Sequence, residues 1–295
     1  MSGEEKRIER LCLAFSAELI PNGFLREGQR SALDTLLALA INQANLAPLA
    51  QNPEFQKTYS GLSSSPPDSL RRPVRVRSIA TSLGVPQETA RRRVANMAKD
   101  GFLTLTDEGV ILPQSVTVSP LYLVTARETW RAIGELYRAL RREGALPAPD
   151  PEPIDEEPPI RQTMRLWGNH FLRLIEALKP LVGEPFDVVL LFTILRESRV
   201  TDARAGKPVS ASALARYLGL PFETVRRNAL RLAENGLCLK TGLGYLITSD
   251  LLDQPDWRTF AEAHARILMR FFSIMREQRL LGSWEAEFQA EADTP

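Results

Sequence analysis

Residues 78–102 and 213–237 align without a gap at a constant offset of 135. Identical pairs include Gly84/Gly219, Pro86/Pro221, Glu88/Glu223, Thr89/Thr224, Arg91/Arg226, Arg92/Arg227 and Gly101/Gly236. Solenoid repeats recur every 20–50 residues or so, and this offset is far longer. It is the spacing of whole domains, and a chain of 295 residues has room for two at roughly 100–200 residues each. The same supersecondary unit is therefore expected twice.

The pattern extends outward after the identities fade. Each half opens with an amphipathic stripe at helical spacing: Ile8, Leu11, Cys12, Phe15 and Leu19 in the first, Trp167, Phe171, Leu174, Ile175 and Leu178 in the second. Each half closes with another, where Trp130, Ile133, Tyr137 and Leu140 match His264, Ile267, Phe271 and Ile274 at an offset of 134. Between them, residues 146–159 alternate proline with acids, which forbids helix or sheet and favours an extended connection. The expected organisation is domain 1 over 1–145, a linker over 146–159 and domain 2 over 160–295. The Ser/Pro-rich stretch from Tyr59 to Asp68 is expected to be a disordered loop tip, where the second half has only Arg199 to Pro208.

Within the first repeat, Leu33 to Asn45 reads as a helix, Val74 to Val76 as a short strand, and Ser78 as the cap of a helix that stops at Gly84. A second helix starts at Pro86 and ends at Gly101. Phe102–Thr106 and Val110–Leu112 then form a hairpin across Asp107-Glu108-Gly109. Two helices across a short glycine turn, followed by a hairpin, make a winged helix-turn-helix. The expected fold class is mainly α with small β-hairpins: tandem duplicated winged helix-turn-helix domains flanked by amphipathic helices.

A net charge of +1 conceals segregation. Arg71 to Leu105 holds eight bases against two acids, and Lys207 to Lys240 six against two, whereas Glu143–Glu157 and Glu285–Asp293 hold acids only. Basic islands are the footprint expected of a nucleic-acid binder, because they release counterions from phosphates. Stepping 100 degrees per residue along the second helix puts Ala90, Val94 and Met97 on one face and Glu88, Arg92, Ala95 and Lys99 on the other, with Thr89 and Arg91 on the flanks. In the second copy Val225, Ala229 and Leu232 face inward, while Glu223 and Arg227 point out beside Thr224 and Arg226. An outward guanidinium near a helix start can take guanine O6 and N7 together, and a glutamate there can accept from cytosine N4 or orient its neighbouring arginine. The expected DNA-contact set is Arg75, Arg77, Gln87, Glu88, Thr89, Arg91, Arg92 and Lys99, with Phe222, Glu223, Thr224, Arg226, Arg227, Arg231 and Lys240. Differences at Gln87/Phe222, Arg93/Asn228 and Ala95/Leu230 predict unequal half-sites.

Pro-x-Glu-Thr-[Ala/Val]-Arg-Arg, an apolar stripe and then [Lys/Glu]-[Asp/Asn]-Gly-[Phe/Leu] resembles the recognition-helix segment of bacterial winged helix-turn-helix transcription regulators of the GntR, IclR and MarR kind. The envelope of helix, winged domain, helix looks most like a MarR subunit duplicated in tandem. The resemblance implies double-stranded DNA as partner and a monomer acting as a pseudo-dimer, with further homodimerisation and an unidentified small-molecule effector left open. Tandem winged modules for protein contacts, or a plasmid-type replication initiator, are the competing readings.

No GxxxxGK[ST], GxSxG or HExxH motif occurs, so no enzyme activity, cofactor or metal is expected. His264 and His170 lie on or beside apolar stripes and are expected to be packing residues, His264 matching Trp130. Cys12 and Cys238 have no Cys or His companions at metal spacing and are expected to be buried thiols. The apolar run around Val188 to Leu195 is too short for a membrane span, and a cytoplasmic protein is expected.

Overall fold

The computed structural model describes residues 3–25, 30–151, 156–198 and 206–292. It is mainly helical with two small antiparallel hairpins. The first stretch contains α1 (Gly3–Leu25), α2 (Ala32–Leu46), α3 (Pro53–Thr58), α4 (Val76–Leu83), α5 (Gln87–Lys99), β1 (Thr104–Thr106), β2 (Gly109–Ile111), α6 (Gln114–Thr117) and α7 (Pro120–Arg142). The second contains α8 (Ile160–Val182), α9 (Pro185–Ser198), α10 (Ala211–Leu218), α11 (Phe222–Glu234), β3 (Leu239–Thr241), β4 (Gly244–Leu246), α12 (Ser249–Leu252), α13 (Pro255–Glu277) and α14 (Gly282–Ala292). Every element from α10 to α13 begins and ends 135 residues after its counterpart among α4 to α7.

That register corrects the offset of 134 expected for the closing helices. Trp130, Ile133, Tyr137 and Leu140 correspond to Ala265, Leu268, Phe272 and Met275, and all four of the latter are buried. His264 is matched by Thr129, not Trp130. Apolar residues spaced by three and four let a stripe slip by one position and still look apolar, so periodicity alone could not choose.

The chain forms two compact units, each discontinuous in sequence: Met1–Leu36 with Leu172–Ile267, and Leu37–Phe171 with Leu268–Pro295. The sequential halves 1–145 and 160–295 are therefore not the packing units. Helix α1 leaves the first repeat and packs along α9 of the second. Its buried stripe is Cys12, Leu13, Ser16, Ala17 and Ile20, with Leu11, Phe15 and Leu19 only half-buried, a rotation from the face expected.

In the unit holding the second repeat, α9 is the centre. Phe186 to Leu195 are all buried, which suits a helix that is apolar all round and must be surrounded by other elements. Each leucine sealed there contributes about 1.5–3 kcal/mol over leaving it in water. His264 fills the gap between α1 and α13: it is fully buried, its Nε2 lies 2.8 Å from Ser16 Oγ, and its ring stacks on Phe260. Burial holds its imidazole neutral, with a pKa pulled down to about 3.

In the unit holding the first repeat, Asn45 at the end of α2 is fully buried and ties the hairpin down. Its Nδ2 donates to the carbonyls of Arg72 (2.8 Å) and Val110 (3.1 Å), and its Oδ1 accepts from Leu112 N (2.9 Å). Ser198, at the end of α9, performs the same task in the other unit, accepting from Ile247 N at 3.0 Å. The loop from Tyr59 to Asp68, expected to be disordered, is packed: Ser65 is buried with its Oγ 2.9 Å from Thr117 Oγ1, and Glu157 accepts from the amides of Leu62 (2.6 Å) and Ser63 (2.8 Å). Hydrogen bonds to Thr117 and Glu157, far away in sequence, hold the loop, which its composition alone does not reveal. Among the described residues of 146–159 there is no helix or strand, as expected; of the loop Arg199 to Pro208, residues 199–205 lie outside the described residues.

Helix α14 carries the acids Glu285, Glu287 and Glu291. Trp284 is buried against Gly134 of α7, Glu285 accepts from Tyr137 Oη (2.5 Å) and Arg141 (3.0 and 3.1 Å), and Glu291 pairs with Arg138 at 3.0 Å.

Candidate nucleic-acid interface

Helices α4 and α10 end where Gly84 (φ 64) and Gly219 (φ 60) turn left-handed, a conformation that a Cβ disfavours. Three residues later α5 and α11 begin, each with proline as N-cap. Arg75, not Ser78, is the N-cap of α4, and Val76 belongs to the helix; Val74 alone bridges the hairpin, to Val110.

The inward faces are as the spacing predicts. Ala90, Val94 and Met97 are at most 2% exposed, and Val225, Ala229 and Leu232 are 0% exposed. The opposite faces therefore meet solvent: Gln87, Glu88, Arg91, Arg92 and Lys99 on α5, and Phe222, Glu223, Arg226 and Arg227 on α11, with Thr89 and Thr224 half-buried. Arg75 and Arg77 are exposed at the start of α4.

Both helices carry the same internal pair. Arg91 donates from Nε and Nη2 to the two oxygens of Glu88 (2.9 and 2.7 Å), and Arg226 donates from Nε to Glu223 at 3.0 Å. Arg91 holds the Glu88 carboxyl below its ordinary pKa. Each glutamate thus orients the arginine three residues after it. Arg92 and Arg227 make no ion pair among the described residues. Tyr245 of β4 donates to the Arg226 carbonyl at 3.2 Å and braces α11 from the hairpin.

Three expected surface residues are elsewhere. Arg231 is engaged by Asp187 and Glu184 at the start of α9, not held out for phosphate. Asp187 is fully buried; burial raises its carboxyl to about 6 even though Arg231 acts the other way. An acid inside the apolar opening of α9 was the available sign that a distant cation had to meet it. Asn228 is 1% exposed, so the Arg93/Asn228 difference is not one between two outward residues. Arg71, counted in the first basic island, is 4% exposed and donates to Asn42 (3.0 Å), the Pro66 carbonyl and Thr117 (both 3.3 Å).

The hairpins pair Thr104 with Ile111 and Leu239 with Leu246, and each is closed by a threonine, Thr106 or Thr241, whose Oγ1 donates to the carbonyl of Gly109 or Gly244. Their tips differ. The first presents Asp107 and Glu108, and the second presents Gly242 and Leu243, with Leu243 78% exposed and Lys240 exposed on β3.

His170, stacked on Trp167 at 4.8 Å, and His264 are both packing residues. Cys12 and Cys238 are buried free thiols, each pushed up to about 12 by burial. Among the described residues no His, Cys, Asp and Glu side chains group as metal ligands, and no helix is long and apolar enough to cross a membrane. No protein-family model matches the sequence, and no curated protein or solved structure compared with it matches either.

Proposed function

We propose that the chain is a sequence-specific double-stranded DNA-binding regulator of transcription that uses two winged helix-turn-helix modules in tandem. The observation that carries this reading is the recurrence on α5 and α11 of a sealed apolar face backed by two exposed arginines in the first turns, one oriented by a glutamate and one unpaired. A guanidinium held this way suits bidentate recognition of guanine, worth about 1–3 kcal/mol of discrimination per base pair. Two modules in one chain let a monomer address two half-sites, and Gln87 against Phe222 makes those half-sites unequal.

The second module also supports a different reading. Phe222, Leu239 and Leu243 are 46%, 43% and 78% exposed, and such apolar surface suits a protein partner. Selection of bound fragments from random duplex DNA, followed by gel shift, separates the two. The DNA reading expects an enriched motif that binds the parent, and loses specific binding in Arg92→Ala/Arg227→Ala with the far-ultraviolet spectrum unchanged. No enriched motif, or a double variant that binds like the parent, refutes it.

A further inference from the structure

A cleft of about 640 Å³ opens between the end of α2, the segment Arg72–Arg75 and the first hairpin tip, with Ala44, Pro48 and Val74 supplying apolar wall. That volume falls in the range of small-molecule sites, roughly 300–1,000 Å³. Its walls are fixed by backbone bonds. Val74 and Val110 exchange hydrogen bonds of 3.1 and 2.9 Å, and buried Asn45 holds the carbonyls of Arg72 and Val110 together. A Cβ on Gly109 would lie 2.5 Å from the Val74 carbonyl oxygen, so the hairpin sits tight against this segment.

Four exposed charges line the cleft: Arg72 and Arg75 from one segment, Asp107 and Glu108 from the hairpin tip. None of the four forms an ion pair among the described residues. Nor does the fold need three of them, although the position of Arg72 keeps a base, Lys207, in the second copy. The second module builds the same helix start and the same hairpin with Ser210, Gly242 and Leu243 at the positions of Arg75, Asp107 and Glu108. Ser210 even does what Arg75 does not: its Oγ accepts from Ala213 N at 3.2 Å and caps α10, whereas the cap position of α4 has no side-chain bond. Arginine there forgoes a local stabilisation that serine provides. A residue that breaks a local rule beside unpaired partners of both signs marks a site kept for something other than folding.

We infer that this cleft binds a small zwitterionic molecule, its anionic group on Arg72 and Arg75 and its cationic group on Asp107 and Glu108. Guanidinium pairs suit a carboxylate or phosphate, and the carboxylates suit an ammonium. The apolar wall takes the spacer between them. A plain anion would meet Asp107 and Glu108, and a plain cation would meet the arginines, so neither alone fits. This assignment does not depend on DNA binding.

Titration calorimetry on the full chain at low salt tests it, with glycine, 4-aminobutyrate, 6-aminohexanoate, L-lysine and phosphocholine as probes and acetate and methylammonium as monopolar controls. At least one zwitterion is expected to saturate a single site while the controls do not. The variant Arg75→Ser/Asp107→Gly/Glu108→Leu, which copies the second module, is expected to weaken that binding at least tenfold. Glu108→Gln, which leaves the turn backbone and its size unchanged, is expected to weaken it severalfold and keeps the test independent of how the triple variant folds. Absence of saturation by every zwitterion, equal binding of the controls, or parent-like binding by Glu108→Gln overturns the inference.

Discussion

Arg231 donates from both Nε, at 3.1 Å, and Nη2 to a single oxygen of Asp187, whose carboxylate is fully buried at the start of α9. Helix α11 is thus fastened to the central helix α9 by its own third-turn arginine. Removing that arginine leaves a buried charge without its cation, which costs about 2–4 kcal/mol where the pair is only partly exposed. The loss depends on pH. With Arg231 present, burial already lifts Asp187 to about 6; without it the folded pKa rises further. A raised carboxyl pKa gives stability that is full below the unfolded value, near 4, and lost as pH rises through the folded value. Arg231→Ala is therefore expected to be nearly parent-like in urea melts at pH 5 and much weaker at pH 8. Equal losses at both pH values would refute the buried-charge account, and unchanged stability would refute the pair.

Gly134 is a hole that Trp284 fills. A Cβ at Gly134 would lie 2.5 Å from Trp284 Nε1 and 2.7 Å from its Cδ1. Glycine to alanine inside a helix ordinarily gains about 1 kcal/mol. Here overpacking of about 1–3 kcal/mol opposes that gain, and Gly134→Ala is expected to destabilise and to speed proteolysis of α14. In a Trp284→Ala background the same change should stabilise. A stabilising Gly134→Ala in the parent would mean that α14 is not docked there.

Glu88 and Glu223 face the solvent beside the arginines they hold. On the DNA reading they repel phosphate while orienting Arg91 and Arg226. Glu88→Gln/Glu223→Gln is expected to bind random duplex roughly three- to tenfold more tightly at low salt and to discriminate its motif less well. Fluorescence anisotropy against specific and random duplexes measures both; a rise in discrimination would contradict the orienting role.

On the DNA reading the hairpins contribute unequally, because Asp107 and Glu108 would repel phosphate whereas the second hairpin offers Lys240. Lys240→Ala is expected to lower the slope of log affinity against log salt by about one unit. An unchanged slope would place the second hairpin away from the backbone of the duplex.

The local code was readable where one residue type has one physical job. Gly84 and Gly219 stop their helices, and the Ala90–Val94–Met97 stripe is sealed, because a left-handed turn and a 3.6-residue period leave few alternatives. What periodicity cannot state is the partner. The stripe on α1 was visible, yet nothing in Cys12 or Ile20 names α9 as its cover, and the face is rotated because the cover is α9. The same limit hid Arg71 and Arg231: an arginine next to other bases looks solvated until Asn42 and buried Thr117, or buried Asp187, are found opposite it. The cleft beside the first hairpin could have been suspected from Arg75 standing where the second copy has a capping serine.

The assignment of α1 to α9 sets an order of events on the ribosome. Helix α1 ends at Leu25 and α9 begins at Pro185, so roughly 160 residues must be translated between them. At about 5–20 residues per second, that is about 8–30 s during which the face carrying Leu13, Ala17 and Ile20 has emerged without its cover. Over that interval the nascent chain carries an amphipathic segment whose apolar face is uncovered, the kind of surface that chaperones bind.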